Sequence, residues 1–340
     1  MFKSFYTQLA QTSLAGSPIP QSDCLQILES PDIDLLSLLG AAFEVRRKYW
    51  GKEVLVHILN NVQNGYCSED CHYCAQSKSS KAEIDEYPMK PDEEIFAEAK
   101  HAYESGAFRH CMVFSGREPS QKRIEHIAKL VKEIKNLYPI EVCVSPGLLD
   151  KEKVSILKGA GLDRLNHNLN TTERNYAKIC STHTHQDRVA TLEAAKSVGL
   201  QICSGIIIGI GESLGEIVEM AQTFKRLQVH SIPINFFIPI EGTALKSTPE
   251  FTPEYCLRVL CLFRFLNPEA EIRISAGREL YLRSQESLAL YPANSLFMEG
   301  YLNVGGASNQ RTLQMIKDAG FTIKSDQSLD ELLKKGKDAL

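Results

Sequence analysis

The segment GYCSEDCHYCAQS, residues 65–77, sets Cys67, Cys71 and Cys74 in a C-x3-C-x2-C pattern. Thiolates are soft ligands that suit zinc or iron–sulfur clusters. A structural zinc site normally takes four protein ligands, often as paired C-x2-C units, and no second pair follows nearby. Three thiolates on one short loop can instead hold three irons of a cubane and leave the fourth iron open to a small molecule. A zinc site, or incidental core thiols, is the competing reading.

Other residues carry the same kind of signal more weakly. Cys111, Cys143 and Cys203 fall in short strand-like runs, RHCMVFSG, EVCVSPG and QICSGII, and Arg273 falls in EIRISAGRE. Strand side chains alternate between faces. If these four face one way at similar depth, three thiols and a guanidinium converge. A lone buried cysteine is more often a small core residue. Cys24 in the N-terminal region, Cys180 near a loop, and Cys256 and Cys261 on one helix are read that way, and Arg278 reads as an ion-pair residue. LNHNLNT, residues 165–171, spaces Asn166, Asn168 and Asn170 at i, i+2 and i+4. On a strand these share a face. Inward amides are costly unless hydrogen-bonded, so they point to a polar ligand; a solvent-facing strand or a turn is the alternative. Asn235 in SIPINF is expected to join them. Nothing around His57, His72, His167 or His183 supports an acid–base role.

Such residues need a frame. Eight apolar or β-branched runs, from VLVHILNNV (54–62) to NSLFMEGYL (294–302), alternate with helix-period stretches. PDEEIFAEAKHAYESG (91–106) has proline and acids at its start and glycine at its end, the expected helix punctuation. The alternation predicts an α/β protein with a parallel sheet. Its number and spacing suit a (β/α)8 TIM-type barrel; an open doubly wound sheet is the other arrangement. The expected divisions are a helical N-terminal extension over 1–50, the barrel over 51–305 and a peripheral helical tail over 306–340. The triplet follows the first strand run, so in a barrel it lies at the C-terminal face, where active sites sit. SGIIIGIGE (204–212) lacks the G-x-G-x-x-G spacing of a dinucleotide loop.

Bulk properties narrow the classes. A net charge of −4 leaves no basic excess to neutralise phosphates, so no nucleic-acid partner is expected. No apolar run reaches the roughly 18 residues of a membrane span, and the N-terminus does not read as a secretory signal. Ten cysteines scattered over 340 residues suit a reduced, cytoplasmic chain better than a disulfide scaffold.

The triplet, with aromatic Tyr73 before its last cysteine, resembles the signature of radical S-adenosylmethionine enzymes. Together with LNHNLNT, CSGIIIGIGES, SIPINF and EIRISAGRE, in that order, it makes the chain similar to the biotin synthase family. The resemblance implies a [4Fe–4S] cluster on Cys67, Cys71 and Cys74, with S-adenosylmethionine chelated at the open iron. It implies a [2Fe–2S] cluster on Cys111, Cys143, Cys203 and Arg273. The arginine ligand comes from the resemblance alone, since a guanidinium is almost always protonated. Tyr73, Ser115, Asn166, Asn170, Arg188, Ile207 and Ile238 are the implied S-adenosylmethionine contacts, and Asn166, Asn168 and Asn235 the implied dethiobiotin contacts. Some family members carry Asp where Asn170 stands. The implied reaction inserts sulfur between C6 and C9 of dethiobiotin after 5′-deoxyadenosyl radicals remove two hydrogens, the second cluster giving up the sulfur. No side chain need act as acid or base. Implied partners are an electron donor such as flavodoxin or ferredoxin, the iron–sulfur assembly machinery and a second copy of the chain in a homodimer. A hydrogenase-maturation or methylornithine-type enzyme would keep the triplet but need not keep Cys111, Cys143, Cys203 and Arg273 together. A zinc-stabilised binding module is the non-enzymatic alternative.

Overall fold

The computed structural model describes residues 4–247 and 249–338. Nine strands form its centre: β1 (Glu53–Gln63), β2 (Arg109–Phe114), β3 (Glu141–Ser145), β4 (Arg164–Asn166), β5 (Gln201–Cys203), β6 (Ile206–Ile208), β7 (Ser231–Phe236), β8 (Glu271–Ile274) and β9 (Ser295–Met298). Their β-branched residues fit a pleated surface covered on both faces. The pairings are parallel, and β9 returns to β1 with Leu55 opposite Ser295 and Ile58 opposite Met298. The sheet therefore closes and leaves no edge. β5 and β6 are halves of one stave: Cys203 pairs with Ser231 and Ile206 with Ile234, both on β7. Counted so, the barrel has eight staves, and the open-sheet alternative is excluded.

The stave breaks at Ser204–Gly205 because the chain passes too close to β7 for a side chain. A Cβ on Gly205 would lie 2.2 Å from the Pro233 carbonyl oxygen. Helices fill the connections and cap themselves as their sequences suggest. Ser120 Oγ accepts from Arg123 N at the start of helix Gln121–Leu137, whose Ile124, Ile127, Leu130, Val131 and Ile134 are buried against the sheet. Ser213 and Glu216 form a capping box for helix Leu214–Arg226. Helix Glu173–Ile179 has too few turns to show a helical period in sequence, and it was not expected.

The N-terminal region folds as three helices, Phe5–Leu14, Gln21–Glu29 and Leu35–Trp50. They cover helix Pro253–Leu266, which is buried throughout from Cys256 to Leu266 and so takes Cys256 and Cys261 into the core. After β9 comes a hairpin, β10 (Gly300–Tyr301) with β11 (Val304–Gly305). The C-terminal stretch has helices Asn309–Asp318 and Leu329–Asp338. Between them lies a short strand, β12 (Thr322–Ile323), that pairs with Glu53 and Val54 of β1. Leu313, Ile316 and Phe321 are buried there, so this stretch seals one side of the barrel.

Register places side chains in layers. His57, Arg109 and Glu141 stand side by side on β1, β2 and β3, and Ser231 pairs with Glu271 across β7 and β8. Two residues further along come Leu59, Cys111 and Cys143, with Arg273 beside Ser295. Period-two alternation puts both sets on the inward face.

Candidate active site

A cavity of about 290 Å³ opens at the C-terminal end of the strands. The loop after β1 forms one wall. Gly65 and Tyr66 turn it with positive φ, Gly65 N donates to Gln76 Oε1 at 3.3 Å, and Ser77 Oγ donates to Glu69 O at 3.1 Å. Cys67, Cys71 and Cys74 all border the cavity. Burial pushes the Cys67 thiol up and the Cys74 thiol to about 11. A hydrogen bond to Cys180, together with burial, pushes Cys71 up strongly. A metal bound at this loop would displace those protons, as thiol-bound metals do.

Cys111, Cys143 and Cys203 converge at the deep end, packed with Phe297 and almost wholly buried. Cys143 packs with both of the others. The contact with Cys143 lowers Cys111; the contact with Cys111, with burial, raises Cys143 to about 12 against the opposite pull of Cys203; burial raises Cys203. Arg273 joins them with one corner of its fork. Its Nη1 lies 3.8 Å from Cys203 Sγ, while Nε donates to Glu271 Oε1 and Ser295 Oγ, each at 3.1 Å, and Nη2 donates to Ser231 Oγ at 2.8 Å and to Glu271. The four expected deep ligands are thus brought together, with Nη1 the corner turned to the thiols. Burial opposes the Arg273 charge, but Glu271 and the neighbouring cysteines outweigh it and raise its pKa.

Sequence reasoning missed what lies beneath. Glu271, fully buried, receives Arg109 Nη1 at 3.0 Å and Arg164 Nη1 at 2.7 Å, with His57 Nε2 at 3.1 Å. Arg109 also meets Glu141 at 2.6 Å. The three guanidinium groups and two carboxylates leave one positive charge under the thiols, which favours thiolate there. A signal was present: Arg109, Arg164 and Glu271 each stand two residues before Cys111, Asn166 and Arg273.

The asparagine ladder needs correction. β4 ends at Asn166, and Asn170 adopts φ 68° in an isolated bridge with Ile206. The chain leaves the strand because its backbone is claimed elsewhere. Leu169 N donates to Ser204 Oγ at 3.1 Å, and Asn170 N to Gly205 O at 2.9 Å. All three asparagines nonetheless border the cavity. Asn166 Nδ2 donates to Asn168 Oδ1 at 3.1 Å and to Cys203 Sγ at 3.2 Å, so its Oδ1 is what it offers a guest. Asn168 Oδ1 accepts from Gly205 N, and Asn170 Nδ2 donates to Tyr73 Oη at 2.6 Å. Asn235 spends amide groups on Ile206 O and Ala276 N.

Arg188 is locked rather than left on a surface helix. It donates to Asn168 O at 2.7 Å, Tyr176 Oη at 2.5 Å and His183 Nε2 at 2.9 Å. Ser115 turns its hydroxyl to Gly65 O, and Ile207 and Ile238 border the same cavity. Cys180, set aside as a loop thiol, lies 3.8 Å from Cys71 Sγ.

Both thiol sets suit iron–sulfur groups: each borders a void and lacks disulfides, the deep set buried and the loop set half-buried around buried Cys71. Residues 63–224 match the radical SAM superfamily, and residues 233–322 match the biotin and thiamin synthesis associated domain. The biotin synthase of Magnetococcus marinus is 55% identical over 316 residues, covering 93% of this chain and 98% of that one. The chain belongs to the biotin synthase family. Another member of the biotin synthase family, from Acaryochloris marina, is 54% identical over 93% of this chain and 91% of its own. Among solved structures, methylornithine synthase superposes with a TM-score of 0.80 at 21% identity, over 98% of this chain and all of that one. The FeFe-hydrogenase maturase of Carboxydothermus hydrogenoformans does so with 0.80 at 17%, over 96% and 81%. These two likenesses are of fold; the biotin synthase relatives separate this chain from them.

Proposed function

We infer that the chain is a biotin-forming sulfurtransferase that inserts sulfur between C6 and C9 of dethiobiotin by radical S-adenosylmethionine chemistry. One observation carries the reading: two adjoining voids share Val113, Ser145, Asn166 and Tyr301, the outer bordered by the Cys67–Cys71–Cys74 loop and the inner by Cys111, Cys143 and Arg273, with Cys203 packed beside them. In this reading Cys67, Cys71 and Cys74 hold a [4Fe–4S] cluster, and the deep set holds a [2Fe–2S] cluster. When bound, these groups supply the reductive cleavage of S-adenosylmethionine and the sulfur atom that enters the product.

The chain's own residues bind and orient. Arg188, fixed at three points, presents its charge to the S-adenosylmethionine carboxylate, with Ser115 near the amino group, Tyr73 and Asn170 near the ribose and Ile207 and Ile238 against the adenine. Asn166, Asn168 and Asn235 match the neutral ureido ring of dethiobiotin in donors and acceptors. Asn166 stands between the two voids and touches Cys203, so the guest's reacting carbons lie toward the deep thiols. Protein walls exclude water from a reactive carbon radical. No step needs a side-chain proton, and His57 and His167 stay neutral, pushed well below the usual histidine range by burial.

The ten unpaired cysteines support a reducing, cytoplasmic setting. Among the described residues no helix is long and apolar enough to cross a membrane. A flavodoxin- or ferredoxin-type donor, the iron–sulfur assembly machinery and a homodimer complete the proposal. The test is to incubate the anaerobically reconstituted, reduced chain with S-adenosylmethionine and dethiobiotin. Biotin by mass spectrometry is the expected product. Appearance of 5′-deoxyadenosine without biotin would overturn the substrate and keep the superfamily.

A further inference from the structure

We propose that Cys71, Cys180 and His183, with the Glu69 carboxylate, form a second metal site for a thiophilic divalent cation such as zinc, filled when the larger cluster is absent. The donors come from two loops. Glu69 and Cys71 lie on the loop after β1, and Cys180 and His183, spaced C-x2-H, follow helix Glu173–Ile179. All four are nearly buried, at 5–7% exposure. Cys71 Sγ and Cys180 Sγ are 3.8 Å apart, and Cys180 Sγ is 3.4 Å from His183 Nδ1. Tetrahedral zinc with Zn–S about 2.3 Å and Zn–N about 2.0 Å sets two sulfurs about 3.8 Å apart and sulfur and nitrogen about 3.5 Å apart. The Cys71–Cys180 and Cys180–His183 pairs already stand at those separations, and all three donors lie within 4.8 Å of one another.

The fourth corner falls to Glu69, which lies just outside that compact group and draws in on binding. Its Oε2 accepts the Nδ1–H of His183 at 2.5 Å and is held by Thr182 Oγ1 at 2.8 Å. A metal there replaces that proton. The imidazole proton moves to Nε2 and is donated to Tyr176 Oη, 2.7 Å away, the kind of outer contact that orients metal-bound histidines. Arg188 then gives up Nε2 and keeps Asn168 O and Tyr176 Oη. Thiol protons pass to solvent. Two thiolates and two carboxylates, Asp70 Oδ1 lying 3.3 Å from Cys180 Sγ, outweigh the dication by two negative charges, which face Arg188 and Arg117.

Cys71 cannot serve two metals. Resting on the reading of Cys71 as a cluster ligand, the zinc form and the four-iron form exclude each other. Zinc would then protect the empty loop and bar its loading.

The test uses the full chain, isolated anaerobically without iron and titrated with Co²⁺, then Zn²⁺. One equivalent of cobalt should give the intense visible bands of a tetrahedral thiolate site, displaced by zinc. Cys180→Ser and His183→Gln should each weaken that ion at least about tenfold. Cys67→Ser, Cys74→Ser and Cys143→Ser should leave it within about twofold. The proposal is overturned if no tetrahedral signal forms, or if Cys67→Ser, Cys74→Ser or Cys143→Ser removes it while Cys180→Ser does not. In a second arm the zinc-loaded chain is offered iron and sulfide. Iron uptake should fall by the larger cluster's share and return in Cys180→Ser. Full uptake with zinc retained would overturn the exclusivity, and with it the role of Cys71 in the cluster, while leaving the zinc site standing.

Discussion

Replacing Glu271 with glutamine tests whether one carboxylate holds the floor of the barrel together. The swap keeps shape and removes one charge. Oε2 now accepts from Arg109 and Arg164, at 3.0 and 2.7 Å. Oε1 accepts from Arg273 and Ser295, at 3.1 and 2.8 Å, and lies 3.1 Å from His57. Either orientation of the amide sets an NH2 group against guanidinium donors, and three buried cations are left with Glu141 alone. Breaking a buried ion network from one side costs about 3–5 kcal/mol. Unfolding entropy of about 2.1 cal/mol/K per residue converts that to a fall of about 4–7 °C in Tm. The assay is thermal and urea unfolding of the cluster-free chain, with Glu271→Asp as the charge-preserving control. Reconstituted Glu271→Gln should also show altered absorption from the deep cluster, because Arg273 loses two of its anchoring contacts. A loss under about 1 kcal/mol with an unchanged spectrum would refute the argument.

Acid should destabilise the fold through histidine. Burial holds His57 and His167 well below the usual range and His110 at about 4. The unfolded chain binds these protons near pH 6.5, so stability present above that pH is lost as pH falls toward the folded values, at up to about 1.4 kcal/mol per unit for each group. Urea midpoints from pH 7 to 5 should drop, and His110→Leu should flatten the slope; an unchanged slope refutes the assignment. Gly205→Ala should cost about 1–3 kcal/mol by forcing a Cβ onto the Pro233 carbonyl; a midpoint like the parent's would show that the stave relaxes freely. Asn166→Ala should weaken dethiobiotin binding by about 1–3 kcal/mol, or roughly 5- to 150-fold, in calorimetry of the reconstituted chain. Unaltered affinity would place the ureido ring elsewhere. Cys74→Ala should lose the larger cluster's iron and retain the smaller one's; loss of both by iron and sulfide analysis would unseat the two-site arrangement.

The barrel was legible because strand and helix periods alternate cleanly, and the triplet because its thiols are neighbours in the chain. Cys111, Cys143, Cys203 and Arg273 could be aligned in advance since a strand has only two faces. The ladder of asparagines was over-extended. Nothing local says that Leu169 N bonds to Ser204 Oγ, a contact across 35 positions, and that contact helps bend the chain after Asn166. Glu271 was invisible for a similar reason: its partner Arg109 is 162 residues away, and a lone acid on a strand reads as solvent-facing. Cys180 meets Cys71 across 109 residues, on a loop whose path no period encodes.

Among the described residues, His57, Arg109, Arg164 and Glu271 form a buried floor beneath the deep thiols. The void beside those thiols shares Asn166 and Tyr301 with the mouth cavity. On the proposed reading, iron and sulfide bound for the inner pocket would travel the route the substrate uses. Refilling after each product would then wait until the antechamber is vacated, which would set the order of loading: inside first, guest last.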